Sequence, residues 1–184
     1  MTTATKTRSA AHRPAAIPAH VLAELRERDD AGVAAPLPYA YDMDGAPLRC
    51  CLRRSRAGER IALVAYAPLR RWAAETGAEP GAYDETGPVF IHVGRCPGPD
   101  ADAGYAFADT GAQRVLRRYT AEGRIEGGTL VHLPARPDDA QAVMRHMLVE
   151  AFADPAVALV HVRAVEHGCF LYEVRRFSAG GLGG

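Results

Sequence analysis

Apolar residues recur at helical spacing in two parts of the chain. Val21, Leu22 and Leu25 stand among Glu24, Arg26, Glu27 and Arg28, which predicts a short amphipathic helix that stops at Gly32. Over residues 139–152, Ala140, Val143, Met144, Met147, Leu148, Ala151 and Phe152 keep the i, i+3, i+4, i+7 rhythm throughout, and this predicts the main helix. Asp138 is expected to cap its start and Asp154-Pro155 to close its end, with both methionines in the core.

Elsewhere the pattern is strand-like. Residues 60–66 read as a strand paired in a hairpin with 48–52, and residues 88–93 form a compact β-rich run. Residues 115–120 and 125–133 suggest a second hairpin, with Gly127-Gly128 marking a bulge, and residues 157–163 and 169–175 a third. Pro36, Pro38 and Pro47 make 33–47 an irregular crossing, residues 70–76 supply a turn or two of helix around Trp72, and 94–104 is loop. Strands and helices do not alternate as a parallel α/β sheet requires. The fold class is therefore α+β: an antiparallel sheet of roughly five to seven strands with two main helices, one of them packed on the sheet.

Composition narrows the class further. With 48% hydrophobic and 24% charged residues the chain is globular, and 184 residues suit one domain, set at 17–177 between a disordered N-terminal tail, 1–16, and a flexible glycine-rich tail, 178–184. Twenty-two basic residues balance twenty-two acidic ones, which disfavours nucleic acid and anionic membranes as partners. The absence of a long apolar run or a secretory h-region leads to the expectation of a soluble, cytoplasmic protein. In that compartment the four cysteines are free thiols or metal ligands.

Candidate chemistry centres on the last hairpin. Alternation places Val160, Val162, Phe170, Tyr172 and Val174 on a core face and Leu159, His161, Arg163, Cys169, Leu171 and Glu173 on the opposite one. If a loop covers that second face, His161 acts as acid or base, Arg163 clamps an anion, and Cys169 lines the pocket, so that the protein binds or converts a small anionic molecule. Otherwise the face meets water or a protein partner, as in a non-catalytic interaction domain. His92 and Cys96, with Cys51 or Cys169, offer an alternative zinc set, although no Cys-x-x-Cys spacing supports it and the expectation is no cofactor ahead of zinc. Cys50 and Cys51, being adjacent, would point to opposite faces of an extended strand. Phosphate-loop, nucleophile-elbow and His-Glu-x-x-His motifs are absent, and Gly183-Gly184 is reminiscent of carrier-protein ends on much smaller domains.

Four stretches carry a family likeness: Leu48-Arg49-Cys50-Cys51-Leu52-Arg53-Arg54-Ser55 running on to Tyr66; Gly87-Pro88-Val89-Phe90-Ile91-His92-Val93-Gly94-Arg95-Cys96; Val115-Leu116-Arg117-Arg118-Tyr119; and Val160-His161-Val162-Arg163 with Gly168-Cys169-Phe170-Leu171-Tyr172. Through them the chain resembles a bacterial family of domains of unknown function, number twelve hundred and three. The resemblance implies that Cys51, His92, Cys96, His161, Arg163 and Cys169 fall within recognisable motifs, and it brings no activity with it.

Overall fold

The computed structural model describes residues 12–176. Of the tails expected at 1–16 and 178–184, residues 1–11 and all of 178–184, with the diglycine, lie outside the described residues. Within them, α1 (Ala19–Glu27) buries Val21, Leu22 and Leu25, as the spacing predicts. After β1 (Tyr39–Tyr41), β2 (Pro47–Leu48), β3 (Arg53–Arg54) and β4 (Glu59–Tyr66) comes α2 (Pro68–Thr76). Its proline in the first turn has φ preset for a helix, and Gly77, at φ 76°, closes it in the left-handed conformation. Then follow β5 (Gly87–His92), β6 (Gln113–Tyr119), β7 (Ile125–His132), α3 (Pro137–Ala153), β8 (Leu159–Ala164) and β9 (Phe170–Arg175).

The α+β class holds, but the strands form two sheets, not one. A mixed five-stranded sheet runs β1-β4-β5-β2-β3, and an antiparallel four-stranded sheet runs β7-β6-β8-β9. The predicted hairpin of 48–52 with 60–66 is replaced by other pairings. β4 lies between β1 and β5, while Leu48 of β2 pairs in parallel with Phe90 of β5. β1 falls inside the proline-containing segment expected to be irregular, held by the register Tyr39↔Ile61 to Tyr41↔Glu59.

One face of the second sheet packs beneath α3, where Met144, Leu148 and Phe152 meet Leu116, Val160, Val162, Tyr172 and Val174. Met147 is only half-buried at the margin of this cluster, so Met144 is the methionine at its centre. Asp138 does not cap α3. Arg136 occupies the cap position without a side-chain bond, and Asp138 and Asp139 sit in the first turn, where carboxylates favour the positive end of the helix dipole.

The other face of this sheet is covered as well. Leu69, Trp72 and Ala73 of α2 pack on Tyr119 and Leu159, and Tyr66 of β4 packs on Phe170 at a ring separation of 5.7 Å. The register of β8 with β9 shifts between Val162 and Arg163, so that Val162 opposes Tyr172 while Arg163 opposes Phe170. This bulge overturns the expected parity at two positions: Phe170 lies with His161, and Leu171 joins the α3 cluster. Residues 12–16, read as tail, make ordered contacts: His12 stacks on Phe152 at 4.2 Å, and the Ala15 N–H donates to the Glu173 carbonyl. Among the described residues, no helix is long and apolar enough to cross a membrane.

The loop from 94 to 112 is tied down at several points. The buried Arg114 guanidinium donates to the Phe107 carbonyl, and Gln141 of α3 both accepts from the Tyr105 N–H at 2.7 Å and donates to the Tyr105 carbonyl at 2.9 Å. Gly104, at φ 71°, lets the chain pass this amide: a Cβ there would lie 2.6 Å from Gln141 Oε1.

Candidate metal centre

The chain between β2 and β3 reverses in four residues. The Leu52 N–H donates to the Leu48 carbonyl at 2.9 Å, and Leu52 takes a left-handed φ of 56°. Cys50 and Cys51 therefore sit on a turn and not in an extended strand, and their thiols converge with Sγ atoms 4.0 Å apart. This corrects the expectation that the pair would diverge, and it brings in Cys50, which sequence spacing leaves out.

His92 ends the neighbouring β5. Its backbone N–H donates to Cys50 Sγ at 3.3 Å, and its Nδ1 lies 3.3 Å from Cys50 Sγ and 3.9 Å from Cys51 Sγ. Arg26 of α1 fixes this strand end by donating to the carbonyls of His92 and Gly94. Cys96 follows in the loop and completes the group. One ligand atom from each of Cys50, Cys51, His92 and Cys96 falls within 4.8 Å of every other. A tetrahedral zinc site with Zn–S ~2.3 Å and Zn–N ~2.05 Å places donor atoms roughly 3.6–3.8 Å apart, so the observed separations need only small side-chain adjustments.

The electrostatics follow from the crowding. A hydrogen bond from Cys50 is the largest influence on Cys51 and draws the pKa of its thiol down. The same pairing, with burial, pushes the Cys50 thiol well up, while burial raises that of Cys96. On the far side of the imidazole, Arg53 Nη2 donates to Nε2 at 3.2 Å, and the Glu59 carboxylate stands 3.7 Å from the same nitrogen. Arg53 also grips Glu59 through two bonds of 2.6 and 3.0 Å and holds its carboxyl down at about 2.

The other proposed residues are not gathered into a cleft. His161 is 1% exposed and makes T-shaped contacts with Tyr119 and Phe170 at ring-centroid separations of 4.7 and 5.0 Å, and neither of its ring nitrogens has a hydrogen-bond partner among the described residues. Glu173 faces it at 4.0 Å, too far for a hydrogen bond. Arg163 is engaged by Glu85 and by the Gly168 carbonyl, and Cys169 Sγ turns to the His167 carbonyl.

Burial, followed by the charges of Arg163, Arg117 and Arg175, puts the His161 pKa well below 6.5. Below pH 6.5 the unfolded chain therefore binds a proton that the folded chain does not, and stability falls as pH drops through that value. Burial raises the Glu173 carboxyl against the pull of Arg175, which gives the opposite slope above pH 4.5. His161→Phe should flatten the His161 contribution while filling the same space. Urea midpoints measured from pH 7 downward should fall less steeply in the variant than in the parent, and parallel curves would show that His161 does not titrate as argued.

A family model described as Protein of unknown function (DUF1203) matches residues 45–176, a span that takes in all four residues of the cluster. No curated protein and no solved structure matches the chain.

Proposed function

The chain belongs to the DUF1203 family, and we propose that it is a metal-binding domain that holds one zinc ion through Cys50, Cys51, His92 and Cys96. The observation that carries this reading is the convergence of three sulfur atoms and one imidazole nitrogen within 4.8 Å, from a turn, a strand end and a loop. Thiolates and imidazole are the donors zinc prefers, and four of them give the tetrahedral set. His92 ligates through Nδ1 and carries its proton on Nε2, facing Glu59. This is the carboxylate–histidine arrangement that orients a metal-bound ring. That role would require Arg53 to give up its contact with Nε2 while keeping its two bonds to Glu59. A small-anion site at His161, Arg163 and Cys169 has less support, because the guanidinium is already satisfied and the imidazole is sealed in.

Cobalt titration of the reduced protein tests the reading. One equivalent should produce the intense visible bands and sulfur-to-metal charge transfer of a tetrahedral thiolate site, and zinc should displace it. Weak octahedral bands, or a spectrum unchanged in Cys50→Ser, would refute the assignment. Glu59→Gln should leave the tetrahedral spectrum in place and weaken zinc binding by about 10–100-fold, read by competition with a chelator.

A further inference from the structure

A cleft of about 660 Å³ opens beside the thiol cluster, within the size range of small-molecule sites. Of the three cluster thiols, Cys51 lines it. Its walls carry charges of both signs: Arg13 and Arg145, against Asp100 and Asp102 on the loop that Gln141 pins to α3. Two guanidiniums and two carboxylates around one thiol match a ligand that bears carboxylate and ammonium groups together with sulfur.

We infer that the cleft receives small zwitterionic disulfides of the amino-acid type, and that Cys51 exchanges with them. In the first step the Cys51 thiolate attacks one sulfur of the disulfide, the S–S bond breaks, and one small thiolate leaves with the electron pair. In the second step the thiolate of Cys96 attacks the Cys51 sulfur and expels the other small thiolate. Two protein thiolates have then lost two electrons to form one disulfide, and the small disulfide has been reduced to two thiols.

Cys96 is the resolving thiol because adjacent residues keep their Cα atoms ~3.8 Å apart, below the ~4.4–6.8 Å span of ordinary disulfides, which disfavours a Cys50–Cys51 bond. This inference rests on the zinc reading for its consequence: the exchange removes two of four ligands, and Cys50 and His92 alone release the ion.

The experiment uses cystine as the charged probe and hydroxyethyl disulfide as an uncharged one. Cystine should form the Cys51–Cys96 bond, seen by peptide mapping, and transfer zinc from the loaded protein to a chromophoric chelator. Metal-free Cys96→Ser should accumulate the mixed disulfide on Cys51. Arg13→Glu with Arg145→Glu should slow cystine at least tenfold relative to hydroxyethyl disulfide. A mixed disulfide forming first on Cys96, or a cystine preference unchanged in the double variant, would overturn the inference. If zinc binds tightly but cystine leaves the cluster thiols untouched on both metal-free and loaded protein, the exchange fails and the zinc reading stands. If Cys51–Cys96 forms in a protein that binds no zinc, the zinc reading fails and the exchange stands. Cys169, outside the cluster, provides an internal control for ordinary thiol reactivity.

Discussion

Met144→Asp should unfold most of the protein at neutral pH. Met144 is 1% exposed on the buried face of α3, in one apolar cluster with Leu116, Leu148, Val160 and Tyr172. An uncompensated buried charge costs about 3–5 kcal/mol and the lost packing of the methionine about 2–5 kcal/mol more, which together reach the range of total stability for a domain, roughly 5–15 kcal/mol. Met144→Ala, which folds more readily, should cost about 2–5 kcal/mol in a urea titration with an unchanged m-value. Met147→Asp, one turn along and half-buried, should cost clearly less than Met144→Asp. Equal losses at the two positions would mean that α3 is rotated from the phase described.

Arg49→Ala should be nearly as damaging and should carry the metal centre with it. This side chain is buried, and burial pushes its pKa down to about 10. Its Nε and Nη2 donate to the Phe170 carbonyl at 2.9 and 2.6 Å, and Nη1 donates to the Pro47 carbonyl. Its backbone meanwhile receives the Ile17 N–H and donates to Phe90. One residue thus fastens the cysteine turn to the last strand of the other sheet. Truncation deprives two carbonyls of their donors, at about 1–3 kcal/mol each if left unsatisfied, and frees the turn that aims Cys50 and Cys51. The melting temperature should fall, and the stabilisation by added zinc, ~4 kcal/mol at a thousandfold excess over Kd in the parent, should shrink. Arg49→Lys should recover only part of either effect, since an ammonium cannot fork across one carbonyl as the guanidinium does. An Arg49→Ala protein that keeps full zinc stabilisation would show that the turn holds its shape unaided.

The helices were legible because periodicity over several turns records burial directly, as Val21, Leu22 and Leu25 or Met144 and Leu148 illustrate. The pairing of β2 with β5 was not. Two residues of strand carry no alternation to read, and the parallel partner lies beyond β4 and α2 in the chain. The cysteine turn was hidden for a related reason: no Gly, Asn, Asp or Pro marks 49–52, and Leu52 itself takes the left-handed position. Three of the four cluster residues, Cys51, His92 and Cys96, stood out by type, but Cys50 required the turn. The last hairpin shows the opposite limit. Its alternation correctly located Val160, Val162, Tyr172 and Val174, yet alternation cannot reveal that a second layer covers the far face, nor that a bulge reverses Phe170 and Leu171.

The parallel contact between Leu48 and Phe90 also sets an order of events during folding. Hairpins such as β6–β7 and β8–β9 close over short loops, whereas the pairing of β2 with β5 closes over the 49–86 segment that holds β3, β4 and α2. Contacts of such sequence separation form late, after the loop-closure entropy has been met. On the zinc reading, Cys50 and Cys51 would stay a free vicinal dithiol until His92 and Cys96 arrive, and a cation captured at that step would act as a latch. Interactions made only after the transition state would slow unfolding without hastening folding.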